Sequence, residues 1–496
     1  MKKISILVGS LLCILTTSCD KFLELTPRDQ KVVSTIEDYR DIMASFMYYL
    51  KTPDMPRQEK VFGIDPFIVP FHSEIHANLA VYTGEVNINT NSSQYYDKKA
   101  GDYTQTGKSM QTWLMSNDEA WQQYYNFLGP INLIISDIST AEGDNEHLRN
   151  YVKGEALVWR AYTYFKLLQY YAPYKDNNYG IPVYLTPQME IGTTMPSRET
   201  QQTVFGQIFS DCNAAFDLLE QTQTNEWNFI WRKDFIHAML ASVYTWKAMS
   251  GAAESSDWEN AGKHATEAMK GRSLTHSAET LKRIFDCSTA VYTAELTNDE
   301  FFVRITDGEY TYICDLYSTY LQDNVSDGRI TATYASFFTD SDIRKSVWFK
   351  NDMYNNKYNM MGESGKCSGC LLPFRLAEMY LIKAEALCRL GKDGEARNVF
   401  SDFCNARYTS VPEIPSEHEA LLNAILDERN REFYQEGDFR WLDMKRLGIR
   451  MERTISGERH VLAPDDFRYS FPIPAREMKL NKNMVQNPGW EQIIIY

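Results

Sequence analysis

The feature that most constrains this chain is a helical rhythm that recurs in pairs. From about Asn117, apolar side chains return every three or four residues in long runs separated by short polar turns. Within Asp118 to Thr140, the stripe is Trp121, Tyr124, Tyr125, Leu128, Ile131 and Ile135. Gly143, Asp144 and Asn145 mark a turn, and a second helix is expected from about Leu148 to Tyr171. It must stop there, because Pro173 disfavours helix at Ala172 and cannot extend it. Two such helices bury their stripes against each other as one antiparallel hairpin.

The unit repeats. Thr203 to Leu219 and Phe235 to Met249 form a pair across a tryptophan-rich turn, and Asp257 to Met269 follows with Trp258, Ala261, Ala265 and Ala268 at helical spacing. Phe374 to Leu390 and Gly394 to Ala406 pair across Gly391-Lys392-Asp393-Gly394. Ala396 and Phe400, preceded by Tyr380 and Ala384, fit part of the tetratricopeptide pattern. Small residues such as Ala384, Ala386 and Ala396 permit close helix approach. The copies are degenerate, so the expectation is a helical scaffold and not a regular solenoid.

Residues 51–115 and 271–372 break this rhythm. They are rich in Gly, Asn, Asp, Thr, Tyr and Phe, with short alternating runs such as Glu300 to Ile305 that read as strand. Long irregular segments inside a compact protein tend to carry function, so a binding site is expected there.

The N-terminus reads as an export signal. Lys2 and Lys3 precede an apolar run from Ile4 to Leu15, too short to span a bilayer as a helix, and small residues follow. Leu15-Thr16-Thr17-Ser18-Cys19 resembles a bacterial lipoprotein box, with Thr16 where leucine is usual. That resemblance implies cleavage after residue 18 and a lipid on Cys19. The competing reading is an ordinary cleaved signal followed by a cysteine. Removing residues 1–18 takes away two lysines and no acids, so the net charge moves from −15 to −17. So acidic a chain does not track phosphate backbones, which excludes nucleic acid as a partner. Length alone suggests two to four domains. The 31 Tyr, 25 Phe and 10 Trp suit both cores and sugar-binding surfaces, being flat apolar faces with polar tips where Tyr and Trp supply them. Beyond Cys13 and Cys19, seven irregularly spaced cysteines make no disulfide framework.

The chemical motifs are weak. Gly101 to Ser109 has five residues between its glycines where a phosphate-binding loop needs four, and the polar stretch before it is no buried strand. His72 and His76 stand four apart, but Glu74 is not in the metalloprotease position and no third ligand is evident, so no metal is assigned. Cys367 and Cys370 are half of a zinc pattern, and a disulfide and two thiols stay equally open. No Gly-x-Ser-x-Gly elbow occurs, and no carboxylate pair stands out for glycoside hydrolysis. No cofactor and no catalytic residue is assigned. The densest charge string, Asp427 to Arg446, pairs Asp427 with Arg431 four residues on and places Gly437 at a helix C-terminus before a helix beginning Phe439-Arg440-Trp441. Its favoured reading is a partly buried ion-pair network tying helices together.

That string and Phe374 to Ala386 closely resemble the SusD/RagB family of Bacteroidetes outer-membrane lipoproteins. Three further segments agree: Cys19 to Pro27; Gly154-Glu155-Ala156 through Tyr170-Tyr171-Ala172-Pro173-Tyr174 with Gly180-Ile181-Pro182; and Phe471-Pro472-Ile473-Pro474 with Asn487-Pro488-Gly489-Trp490, similar to the family's C-terminal strand and tail. The resemblance implies a mainly α fold, in which tetratricopeptide-like helix pairs support an irregular, loop-rich ligand-binding half containing short strands. It implies one domain over residues 19–496, with the scaffold at about 117–270 and 374–450. It also implies a non-enzymatic role: capture of oligosaccharides at the cell surface and delivery to a SusC-like TonB-dependent barrel, with the helical half facing the barrel. The alternatives are an interaction protein that binds peptide or no sugar, and a glycoside hydrolase.

A sugar site needs aromatic faces flanked by groups that bond hydroxyls. The candidates are Tyr95, Tyr96, Tyr103 and Trp113 in the first irregular segment, and Tyr310, Tyr312 and Tyr317 in the second. Asn89, Asn91, Asp102 and Arg329 supply polar groups. Trp113 leads, because it directly precedes the first long helix, where the family often places a binding tryptophan.

Overall fold

The structure, a computed structural model, describes residues 33–46, 83–85, 113–187, 195–220, 230–285, 299–303, 305–307, 330–350, 354–355, 357, 369–371, 374–455 and 458–491. Its helices are α1 (Ile36–Phe46), α2 (Trp113–Asp137), α3 (Glu146–Tyr171), α4 (Gln201–Phe216), α5 (Lys233–Lys247), α6 (Asp257–Ala268), α7 (Ala278–Phe285), α8 (Ala332–Ala335), α9 (Ile343–Trp348), α10 (Leu376–Arg389), α11 (Asp393–Arg407), α12 (His418–Glu432), α13 (Phe439–Leu447) and α14 (Ala475–Leu480). The strands are β1 (Ile305–Asp307), β2 (Phe349–Lys350), β3 (Tyr354–Asn355), β4 (Gly369–Leu371), β5 (Met451–Ile455) and β6 (Glu458–Leu462). They pair antiparallel as β1–β4, β2–β3 and β5–β6.

Local chemistry sets the helix ends. The Asn145 side chain accepts the Leu148 N–H and caps α3, and Thr200 does the same for α4 through the Thr203 N–H. At the end of α10, Gly391 takes φ +73°, which lets its N–H reach the Cys388 carbonyl and the Lys392 N–H reach that of Leu387. That turn aims α11 back along α10.

The scaffold is continuous in space though interrupted in sequence. Helix α2 packs on α3, α3 on α4, α5 on α6, α10 on α11, and α10 on α12. Helix α6 packs directly on α10, across the long excursion that separates them in the chain. The approach is close: a Cβ added at Gly262 on α6 would lie 3.6 Å from the Ala386 Cβ on α10. Helix α3 is the hub, with every residue from Gly154 to Tyr171 buried. Its charged residues are therefore satisfied internally. Arg160 forms a two-pronged pair with Asp211, Lys166 meets Asp438, and Glu155 accepts three N–H groups. The tail docks on the same helix, as Asn487 Nδ2 donates to the Tyr171 and Phe471 carbonyls and Trp490 Nε1 to that of Ser470.

Several expectations are corrected. Glu300 to Val303 is not strand; the Glu300 carbonyl accepts the Leu376 N–H at 2.9 Å and its carboxylate turns to Arg407, so the segment docks on the start of α10 and the strand begins at Ile305. Phe471 to Pro474 lies outside any strand: the Phe471 N–H goes to the Tyr170 carbonyl, and two prolines have no N–H for a ladder. The strands of this region are β5 and β6 instead. Helix α12 ends at Glu432, and Gly437, with φ +59°, sits in the following turn. Arg431 makes its contact ion pair with Glu428, three residues back, while its charge also acts on Asp427 as the spacing suggests. Among the described residues, the second irregular stretch also contains the short helices α7, α8 and α9.

Candidate functional site

The two irregular segments meet at one described point. Thr83, Gly84 and Glu85 form a turn in the first, with Gly84 at φ +80°. The Gly84 carbonyl accepts the Thr331 hydroxyl at 3.0 Å, and the Glu85 carbonyl accepts the Thr331 N–H at 3.4 Å. The Glu85 carboxylate is buried and takes the Thr83 hydroxyl at 2.7 Å and the Gln435 N–H at 2.8 Å. Burial pushes its carboxyl pKa upward, against these hydrogen bonds. Gln435 holds φ +53°, a conformation costly for a residue with a Cβ, and so aims its N–H at Glu85. Residues 83–85, residue 331 and the α12–α13 turn are thereby fastened together.

Beneath the joint lies an aromatic floor. Thr331 caps α8, the Tyr334 hydroxyl donates to Asn430, and Phe349 packs between Phe338 (centroids 4.9 Å apart) and Tyr434 (5.5 Å).

Below that sits a buried ion network centred on Glu432. Its Oε1 accepts from Arg375 at 2.6 Å and Arg407 at 3.3 Å, and its Oε2 from Arg344 at 2.7 Å and Arg407 at 3.1 Å. Arg344 also pairs with Asp342 and Glu428, Arg375 and Lys357 with Glu436, Arg407 with Glu300, and Arg431 with Glu428. Five cations thus face five carboxylates. Burial alone would push the Glu432 carboxyl up, but the guanidiniums of Arg407, Arg375 and Arg344 override it and hold it well below the usual carboxylate range. Glu300, Asp342, Arg344 and Lys357 come from the irregular half, and Arg407, Glu428, Glu432 and Arg431 from α11 and α12. The network therefore bolts the irregular half to the scaffold.

A separate recess of about 180 Å³ opens on the scaffold, lined among others by Trp121, Tyr125, Asn132, Tyr184, Thr186 and Glu477. Its polar wall atoms are largely committed. The Tyr164 hydroxyl donates to the Tyr184 carbonyl and accepts the Tyr184 N–H, Asn132 Nδ2 donates to the same carbonyl, and the Tyr125 hydroxyl donates to that of Pro182.

Comparison with known proteins gives the same answer from sequence and from fold. Residues 21–245 match a family described as SusD-like, starch-binding and associating with the outer membrane. A SusD-like protein P38 of Formosa agariphila is 27% identical over 184 residues, 35% of this chain and 34% of that protein. A starch-binding protein SusD of Bacteroides thetaiotaomicron is 32% identical over 124 residues, 24% of this chain and 21% of that protein. The aligned parts thus span about a third and a fifth of those relatives' own lengths. A solved SusD-like carbohydrate binding protein of Bacteroides vulgatus superposes at a TM-score of 0.67, covering 91% of this chain and 97% of that one at 18% identity. A SusD superfamily protein of Bacteroides thetaiotaomicron does so at 0.67, covering 92% and 100% at 19% identity. Just under half of the chain thus matches a SusD-like family, and the fold is that of the SusD-like structures.

Of the residues singled out in the sequence, Tyr95, Tyr96, Tyr103, Asn89, Asn91, Asp102, Tyr310, Tyr312, Tyr317, Arg329 and Cys19 lie outside the described residues, as do His72, His76 and Cys367. Trp113 is the first residue of α2, and its side chain is likewise outside the description. Cys370 is in β4, opposite Thr306. The joint falls four residues before Asn89 and two after Arg329 in the chain. Sequence reasoning missed the joint itself. No spacing rule links residue 85 to residue 331, although a lone Glu two residues after a Thr at a Gly turn was a readable sign of a fastening.

Proposed function

We propose that this protein is a cell-surface glycan-binding lipoprotein, built as a single domain from residue 19, that captures oligosaccharides and hands them to a SusC-like TonB-dependent transporter. The match of residues 21–245 to a starch-binding family carries this reading. The joint at Gly84 and Thr331 supports the location, because it ties together the two segments that hold the aromatic and polar candidates. Tyr95, Tyr96, Tyr103, Trp113, Tyr310, Tyr312 and Tyr317 would offer stacking faces, and Asn89, Asn91, Asp102 and Arg329 would bond hydroxyls. The role is binding and not catalysis, with Cys19 as the outer-membrane anchor. No described helix is long and apolar enough to cross a membrane.

Calorimetry with maltooligosaccharides, extended by a broad glycan array, tests the reading. A sugar should bind, and Trp113→Ala should weaken it at least tenfold. Unchanged affinity in that variant removes Trp113 from the site. Silence across the array, with co-purification of a large barrel, favours a transporter-associated protein that binds no sugar.

A further inference from the structure

Three metal-binding side chains converge where α10, α11 and α12 meet. Cys388 lies in the last turn of α10, Asp393 is the first residue of α11, and His418 is the first of α12. The Cys388 Sγ is 3.6 Å from Asp393 Oδ1 and 3.8 Å from His418 Nδ1, and that Nδ1 is 2.8 Å from the same Oδ1. The thiol is buried, while Asp393 and His418 keep 31% and 42% of their side chains exposed, so an ion has a way in.

We propose that Cys388, Asp393 and His418 form a site for a zinc-class divalent cation that staples these three helix ends. The geometry is the first argument. Tetrahedral zinc, with bonds of about 2.3 Å to sulfur and about 2.0–2.2 Å to nitrogen and oxygen, places sulfur about 3.6 Å from each of the other two donors. Those two donors stand about 3.4 Å from each other. The sulfur distances already match, and only the exposed His418–Asp393 contact has to open, by about 0.6 Å. Charge is the second argument. Without metal, the Cys388 thiol and the His418 Nδ1 both lie against one carboxylate oxygen, and Nδ1 carries its proton in the tautomer that donates to it. On binding, the thiol proton leaves to solvent and the imidazole carries its proton on Nε2. The thiolate and the carboxylate then neutralise the dication, with one proton released. The donor set is the third argument: thiolate and imidazole select zinc over calcium and magnesium, which take oxygen ligands. Water completes the fourth position from the solvent side.

The purified full chain, with Cys367 and Cys370 both changed to Ser to silence that pair, is titrated with Co²⁺ and Zn²⁺. One equivalent of Co²⁺ should give a thiolate-to-metal charge-transfer band that Zn²⁺ bleaches and Ca²⁺ and Mg²⁺ do not. Cys388→Ala should abolish the band, and Asp393→Asn and His418→Ala should weaken binding at least tenfold. Zinc should raise the melting temperature of the parent and leave that of Asp393→Asn unmoved. No charge-transfer band in the folded parent, or a band that survives Cys388→Ala, overturns the assignment. Circular dichroism checks each variant, and the near-isosteric Asp393→Asn decides the matter if an alanine variant unfolds.

Discussion

Replacing Glu432 by glutamine tests the ion network at its centre. The amide has one acceptor oxygen where the carboxylate has two, and each of those takes two guanidinium N–H groups. Whichever way the amide turns, its NH2 faces two donors. Arg344, Arg375 and Arg407 all lose a counter-charge, yet each keeps another carboxylate in Asp342, Glu436 or Glu300. The penalty is therefore that of one broken buried pair and not of three, about 3–5 kcal/mol. In urea at pH 7 this moves the unfolding midpoint down by on the order of 1 M, with unchanged slope. The pH dependence has a definite sign. Because Glu432 is held well below its unfolded value, its contribution is complete above the unfolded pKa and is lost as pH falls through the folded one. The gap between wild type and Glu432→Gln should thus be full at pH 7 and shrink on acidification. Glu452, exposed and paired with Arg459, is the control, and Glu452→Gln should leave the midpoint unmoved. A loss below about 1 kcal/mol for Glu432→Gln, or a gap that widens in acid, refutes the argument.

Glu155 should behave in the opposite sense. Burial raises its pKa from 4.5 to about 7, offset in part by N–H groups from Ile230, Trp231 and Trp159. The folded state then holds a proton that the unfolded state releases, so this group removes up to about 3 kcal/mol as pH rises from 5 to 8. Glu155→Gln removes the titration, so urea midpoints at the two pH values should show the variant losing less than wild type; parallel profiles would refute this. Gly251→Ala should destabilise by several kcal/mol, on the order of other severe backbone clashes, since its Cβ would lie 2.4 Å from the Asn177 nitrogen and 2.7 Å from the Lys175 oxygen. Calorimetric melting checks that, and a melting temperature within a degree of wild type would contradict it. Cys19→Ala should abolish membrane retention while leaving sugar affinity intact, read by fractionation and calorimetry; retention that survives the change removes the lipid anchor.

The scaffold helices α2 to α6, α10 and α11 were legible in the sequence to within a few residues at most ends, because apolar period, caps and the Gly391 turn are properties of neighbouring residues. So was the buried ion network, since a string as charged as Asp427 to Arg446 has to pair if it is to pack. Its wiring was not legible. Arg431 makes its contact pair with Glu428, and Glu432 gathered arginines from positions 344, 375 and 407. Those choices depend on which elements become neighbours. The same is true of Glu85 meeting Thr331, and of Cys388, Asp393 and His418 converging on one point. By itself, the sequence determined a paired-helix scaffold, through an apolar periodicity that acts over one or two turns, and its ordered motifs carried the SusD-like resemblance. Only the tertiary structure decided which distant charges, thiols and imidazoles share a site, because packing one helix end against another fixes distances that no spacing along the chain encodes.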